Sequence, residues 1–181
     1  SDSGGIHMLW DLNKTTHPSP VEIPTQNEQA KRAQLSKNAQ QNVALSPDGK
    51  RVAMWVCSNE MCTQDQIKIW DIATQTFSES GSSTQKSEQS GFLTFSPDNE
   101  TVAGIITPNS THDNNKILLW DSKQPTQEVT PIQISDPATS NIYTTLRFSP
   151  NGKKLVAYTQ ANPFSFVVLD QQDKNPTKFD Q

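Results

Sequence analysis

Long hydrophobic runs are missing from this sequence. Neither Val52-Ala53-Met54-Trp55-Val56-Cys57 nor Phe166-Val167-Val168-Leu169 approaches the ~20 apolar residues a membrane-spanning helix needs, so membrane insertion is not expected. Basic clusters are missing too. Lys31-Arg32 and Lys153-Lys154 are isolated pairs among 15 Lys and Arg set against 19 Asp and Glu. That leaves no electrostatic footprint for nucleic acid and little attraction to an anionic membrane surface. Cysteine is scarce, with only Cys57 and Cys62, and two thiols with no nearby histidine cannot complete a four-ligand zinc site. Their C-x4-C spacing suits a disulfide across a hairpin loop in an oxidising compartment, or an unlinked pair in or beside a strand. The three histidines, His7, His17 and His112, share no ligand spacing, so neither a metal nor a cofactor is expected. No G-x-S-x-G elbow or phosphate loop occurs, and nothing convergent suggests an enzyme. The opening Ser1-Asp2-Ser3-Gly4-Gly5 lacks the features of a signal peptide and reads as a chain that begins part-way through something.

What is present is mostly neutral polarity. Of 181 residues only 32% are hydrophobic, and the mean hydropathy is −0.68. Leu, Ile, Val and Phe number 37, against 30 Asn and Gln and 37 Ser and Thr. Disorder also calls for a high net charge, and the net charge here is only −4. Such a composition fits many short strands joined by long uncharged loops.

An internal repeat then organises the chain. Val43-Ala44-Leu45-Ser46-Pro47-Asp48-Gly49-Lys50 recurs as Leu93-Thr94-Phe95-Ser96-Pro97-Asp98-Asn99-Glu100 and as Leu146-Arg147-Phe148-Ser149-Pro150-Asn151-Gly152-Lys153. A second signature follows each copy: Ile67 to Asp71 ending in Trp70-Asp71, Ile117 to Asp121 ending in Trp120-Asp121, and Val167-Val168-Leu169-Asp170. A further copy, ending in Trp10-Asp11, opens the chain without its first partner. From Ser46 to Trp70 and from Ser96 to Trp120 the spacing is 24 positions, and from Ser149 to Leu169 it is 20. In each unit an alternating run meets a Ser-Pro-Asp-Gly-like turn, where proline presets φ and Gly or Asn tolerates the left-handed region. Two further alternating runs and a weaker fourth run follow. Four short strands per ~40–50 residues, closing on Trp-Asp, is the pattern of a propeller blade.

The repeat resembles the WD-repeat β-propeller family. The residues carrying the resemblance are Trp10-Asp11, Trp70-Asp71, Trp120-Asp121 and the turns around Pro47-Asp48-Gly49, Pro97-Asp98 and Pro150-Gly152. It implies an all-β fold of four-stranded antiparallel blades. Residues 1–181 then form a partial propeller of about 3.5 blades: half a blade over 6–25 and blades over about 38–82, 90–136 and 142–180. Two departures mark the repeats as divergent, as in many bacterial propellers. No unit carries the family's Gly-His dipeptide, so its buried His–Asp network is not expected, and Leu169 stands where Trp belongs.

The repeat gives most singled-out residues structural work. Trp70 and Trp120 are expected between neighbouring blades, with the following aspartate capping the strand end. Trp55, Ile105 and Tyr158 share one repeat position and are expected to pack between blades. Asp48 and Asp98 are expected to cap turns. The segments 58–65, 108–115, 26–41, 78–90 and 136–142 read as polar loops, a short helical turn fitting within 26–41; loops on a rigid scaffold are where binding tends to reside. The expected function is a non-catalytic protein-interaction scaffold within a larger assembly, its partners including the remaining blades. An enzyme or ligand-binding propeller completed by missing blades is the first alternative, and a half-propeller that dimerises into a seven-bladed ring is the second. The resemblance leans to the cytoplasm, while few lysines and the cysteine pair also fit export.

Overall fold

The computed structural model describes residues 7–9, 21–23, 43–57, 65–78, 88–108, 115–126, 131–134, 143–159, 165–171 and 176–180. The 26–41 segment and most of the polar loops lie outside them. The described residues form strands and turns, with no helix among them. A short hairpin comes first, β1 (His7–Leu9) pairing antiparallel with β2 (Val21–Ile23). Three four-stranded antiparallel sheets follow, each strand beside its neighbour in sequence. The first holds β3 (Val43–Leu45), β4 (Arg51–Cys57), β5 (Asp65–Asp71) and β6 (Thr76–Phe77). The second holds β7 (Glu88–Phe95), β8 (Thr101–Pro108), β9 (Lys116–Asp121) and β10 (Ile132–Gln133). The third holds β11 (Thr145–Phe148), β12 (Lys154–Tyr158), β13 (Ser165–Asp170) and β14 (Pro176–Asp180).

Three strand limits differ from the loop boundaries expected from sequence, the first being Asp65, which opens β5 opposite Cys57. Glu88–Ser90 and Pro108 belong to strands, because Glu88 pairs with Pro108 and Gln89 with Thr107 beyond a register shift between Ser90 and Leu93. The bulge re-aligns the two strands so that pairing continues to Glu88 and Pro108, and a proline is tolerated there because it closes its strand.

Side chains alternate across each sheet, so both faces can be apolar and each can bury against a neighbour. Ala53, Trp55, Ile67 and Ile69 form the leading face of the first sheet. They share one core with Leu93, Phe95, Val102, Leu118 and Trp120 from the trailing face of the second. Ala103, Ile105 and Ile117 on the second sheet's leading face share another core with Leu146, Leu155, Ala157, Val167 and Leu169 of the third. Val52, Met54 and Trp70 gather on the first sheet's trailing face. The sheets come closest along their first strands, β7 against β3 and β4, and β11 against β7 and β8. The stack therefore fans outward from a line of inner strands.

Candidate functional site

One turn recurs three times with the same hydrogen bonds. In the first sheet Ser46 Oγ donates to Asp48 Oδ1 (2.6 Å) and accepts from the Arg51 N–H (2.9 Å), while Asp48 Oδ1 also accepts from the Lys50 N–H (3.1 Å). In the second, Ser96 donates to Asp98, Thr101 N–H bonds Ser96 Oγ (2.9 Å) and Glu100 N–H bonds Asp98 (3.0 Å). In the third, Ser149, Asn151, Lys153 and Lys154 repeat the pattern, with Asn151 Oδ1 in the carboxylate's place. Gly49, Asn99 and Gly152 occupy the left-handed region at φ of 69°, 65° and 70°. Pro47, Pro97 and Pro150 precede these residues in the same turns.

The aspartates after the tryptophans turn the chain in a similar way. Asp71 Oδ1 accepts from the Thr74 N–H (2.9 Å) and hydroxyl (3.0 Å). Asp121 Oδ1 accepts from the N–H groups of Lys123 (2.7 Å) and Gln124 (3.2 Å). Asp170 reaches Lys154 at 3.4 Å. At Asp48, Asp98 and Asp71 the bonds favour the ionised carboxyl. Asp48 is held below the usual carboxylate range by the Ser46 hydroxyl and then the Lys50 N–H. Asp98 is lowered by Ser96 and Glu100 in the same way. For Asp71 the Thr74 N–H leads, followed by its hydroxyl.

Arg51 joins two sheets. Its Nη1 donates to the Ser122 carbonyl (3.1 Å) and Oγ (2.7 Å), and its Nη2 to the Asn99 carbonyl (2.8 Å). Asn99 Oδ1 accepts from the Asp48 N–H (3.0 Å), tying the two turns to each other. Around this staple lies an open groove of about 540 Å³, lined by Asp48, Arg51, Asp71, Thr74, Ser122 and Lys123 among others. Carboxylates, cations and hydroxyls are mixed along it.

The tryptophans of the repeat have different surroundings. Trp120 meets Trp55 edge-on, ring centroids 5.3 Å apart at 79°. Trp55 Nε1 donates to the Gly91 carbonyl inside the β7 bulge (3.0 Å). Trp70 instead packs on Phe77 of its own sheet, 4.9 Å away. The indole nitrogens of Trp70 and Trp120 are buried with no hydrogen-bond partner among the described residues. Trp10, Asp11, Cys62, His17 and His112 lie outside the described residues, and Cys57 closes β4 without a described side chain. Among the described residues no group of three or more His, Cys, Asp and Glu could hold a metal ion, and no helix is long and apolar enough to cross a membrane.

The sequence did not point to Arg51 or Ser122. The only local signal was Asn99 in the place of a turn glycine, which marks the position as left-handed without revealing that its side chain bridges two sheets.

Four-stranded antiparallel meanders stacked face to face, and fanning from a line of inner strands, define a segment of a β-propeller with about three and a half blades. No family model and no curated protein matches the chain. Solved structures do, and they are propellers. TolB from Acinetobacter baumannii is similar with a TM-score of 0.55 at 20% identity, over 76% of this chain and 31% of that one. The putative TolB from Agrobacterium tumefaciens has a TM-score of 0.55 at 17% identity, over 90% of this chain and 55% of that one. The β-propeller domain of the Trilobed protease from Pyrococcus furiosus, with an open velcro topology, has a TM-score of 0.53 at 14% identity, over 78% and 42%. The chain thus spans between 31% and 55% of the length of these structures. At these identities the likeness is one of fold.

Proposed function

We propose that this chain is a non-catalytic protein-interaction scaffold, built from divergent WD-type repeats and forming part of a larger propeller or multi-chain assembly. The observation that carries the reading is the fate of the repeats' carboxylates. Asp48, Asp71 and Asp98 are engaged in turning the backbone, and their pKa values move down, away from the near-neutral range that general acid–base chemistry favours. The stacked blades act as a rigid frame, and the segments 58–64, 109–114 and 79–87 between strands are the places to present a binding surface.

A test replaces the segments 58–64 and 109–114 by Gly-Ser stretches of equal length. Cross-linking in cells with the unaltered chain names a partner, whose affinity is then measured with purified components. The reading expects affinity to fall at least tenfold while the melting temperature is kept. Turnover of ester, peptide or glycoside substrates that Asp71→Asn abolishes would overturn it.

A second reading, a propeller serving an enzyme, draws on the likeness to the propeller domain of a protease; reactive groups would then come from outside these blades. The symmetric dimer is less favoured. Counting the described residues alone, two copies would bring six four-stranded sheets and two two-stranded ones, and two hairpins of the same third-and-fourth-strand kind do not complete each other into a blade.

A further inference from the structure

The first turn of the third blade holds Asn151 where the other two turns hold Asp48 and Asp98. Asn151 is also the one asparagine in the chain that is followed by glycine. That pairing carries chemistry as well as a turn. Once it has passed its proton to solvent, the Gly152 backbone nitrogen is a nucleophile that can close a five-membered ring on the Asn151 side-chain carbonyl carbon, Cγ. Without a Cβ it meets little hindrance. Ring closure forms the N–Cγ bond and breaks the Cγ–Nδ2 bond, so ammonia leaves. Water then opens the cyclic imide at one of its two carbonyls. Attack at one gives aspartate on the ordinary backbone, and attack at the other gives isoaspartate, whose backbone runs through Cγ. In balance, a side-chain amide and water become a carboxylic acid and ammonia.

The closed turn engages both reacting groups. The Gly152 N–H donates to the Ser149 carbonyl (2.9 Å), which shields the proton that must leave. Asn151 Oδ1 accepts from the Ser149 hydroxyl (2.7 Å) and the Lys153 N–H (3.1 Å), which fixes the side-chain carbonyl. Asn151 is exposed to water while Gly152 is buried. We propose that Asn151 is a site of spontaneous deamidation gated by its own turn: closed, the turn preserves the asparagine, and local opening lets it convert. The turn already has a form that suits the aspartate product. Conversion makes residues 149–153 identical in sequence to Ser46-Pro47-Asp48-Gly49-Lys50. There Asp48 Oδ1 takes the corresponding bonds from the Ser46 hydroxyl (2.6 Å) and the Lys50 N–H (3.1 Å). The aspartate product therefore re-forms the turn, whereas isoaspartate, with an extra backbone atom between Ser149 and Lys154, does not fit it.

The test incubates the intact chain at mildly alkaline pH, folded and in unfolding urea, and follows the amide-to-acid mass change at residue 151 by peptide mass spectrometry. The folded chain is expected to convert at least tenfold more slowly than the unfolded one. Ser149→Ala removes the hydroxyl that bonds Asn151 Oδ1 and the Lys154 N–H (3.0 Å), and should raise the folded-state rate at least threefold. Ser96→Ala removes the matching hydroxyl from the second blade's turn and should leave that rate near the parent's. Asn151→Asp should keep the parent's melting temperature at neutral pH. Equal rates in the folded and unfolded parent would overturn the inference before any variant is made. Equal acceleration by Ser149→Ala and Ser96→Ala would overturn it too, by making unfolding of the whole chain the gate. A clear fall in the melting temperature of Asn151→Asp would refute the re-formed turn. Every readout is made on the chain alone, so failure of the scaffold reading would be seen separately.

Discussion

Gly104 offers the sharpest test of how the blades pack. It sits in the middle of β8 without a positive φ, so an L side chain suits its backbone. An ideal Cβ would stand 2.9 Å from Leu93 Cδ2, 2.9 Å from Trp120 Cζ3 and 3.0 Å from Trp55 Cζ2. All three neighbours are at most 6% exposed. Gly104→Ala would gain about 0.4–1 kcal/mol by restricting the unfolded chain. Forcing a methyl into a filled core costs about 1–3 kcal/mol. The overlap involves two indole rings wedged between sheets, so the cost wins, and a net loss of about 1–2 kcal/mol is expected. For a chain of this size that lowers the melting temperature by roughly 2–8 °C. Urea titration followed by tryptophan fluorescence reads the change. Trp55→Phe removes the ring that carries Cζ2, so the double variant should lose less than the sum of the single losses, by about 0.5 kcal/mol or more. A Gly104→Ala midpoint at or above that of the parent, or strict additivity with Trp55→Phe, would refute the packing argument.

Other expectations follow from the same contacts. Arg51→Ala removes three hydrogen bonds between the first and second blades and should cost about 1–3 kcal/mol in urea unfolding. Arg51→Lys should recover little of this, because one ammonium cannot reproduce the two-nitrogen fork. Asp48 and Asp98 have lowered pKa values in the folded state, so their contribution is present above the unfolded carboxylate value near 4. It is lost as pH falls through their lower folded values. The double variant Asp48→Asn with Asp98→Asn copies the natural Asn151 turn, and its urea midpoint should vary less between pH 5 and 2.5 than the parent's; an unchanged slope would count against the turn bonds. Gly152→Ala, at φ +70°, should cost about 1–2 kcal/mol. Asn99→Gly should instead test the bridge to Asp48, since it relieves φ but deletes the Oδ1 acceptor.

Much of the fold was legible because the repeat is written in short-range signals. Ser-Pro-Asp-Gly sets a turn through bonds that close within five residues, as Ser46 with Arg51. Period-two alternation sets the strands, and the spacing from turn to Trp-Asp sets the meander. The site-like features were less legible. Arg51 reads as a solvated residue opening a strand, yet its partners lie 48 and 71 positions away. Trp70 and Trp120 share one repeat position, but among the described residues Trp120 lies against the Trp55 indole of the preceding blade and Trp70 against Phe77 of its own. Leu45 is 51% exposed where its counterpart Phe95 is 6% exposed, a difference that one repeat position does not foretell.

The sequence by itself determined the strand order within each blade, the three capped turns and the polar character of the connections. Each of these depends on backbone preferences and hydrogen bonds among residues that are neighbours along the chain. Only the tertiary structure decided which faces meet and why β8 must carry a glycine. Those outcomes depend on volumes and donors supplied by residues about fifty positions apart. The scarcity of long hydrophobic runs is consistent with both levels: each strand contributes a few alternating apolar side chains, and the core exists only once the sheets stack.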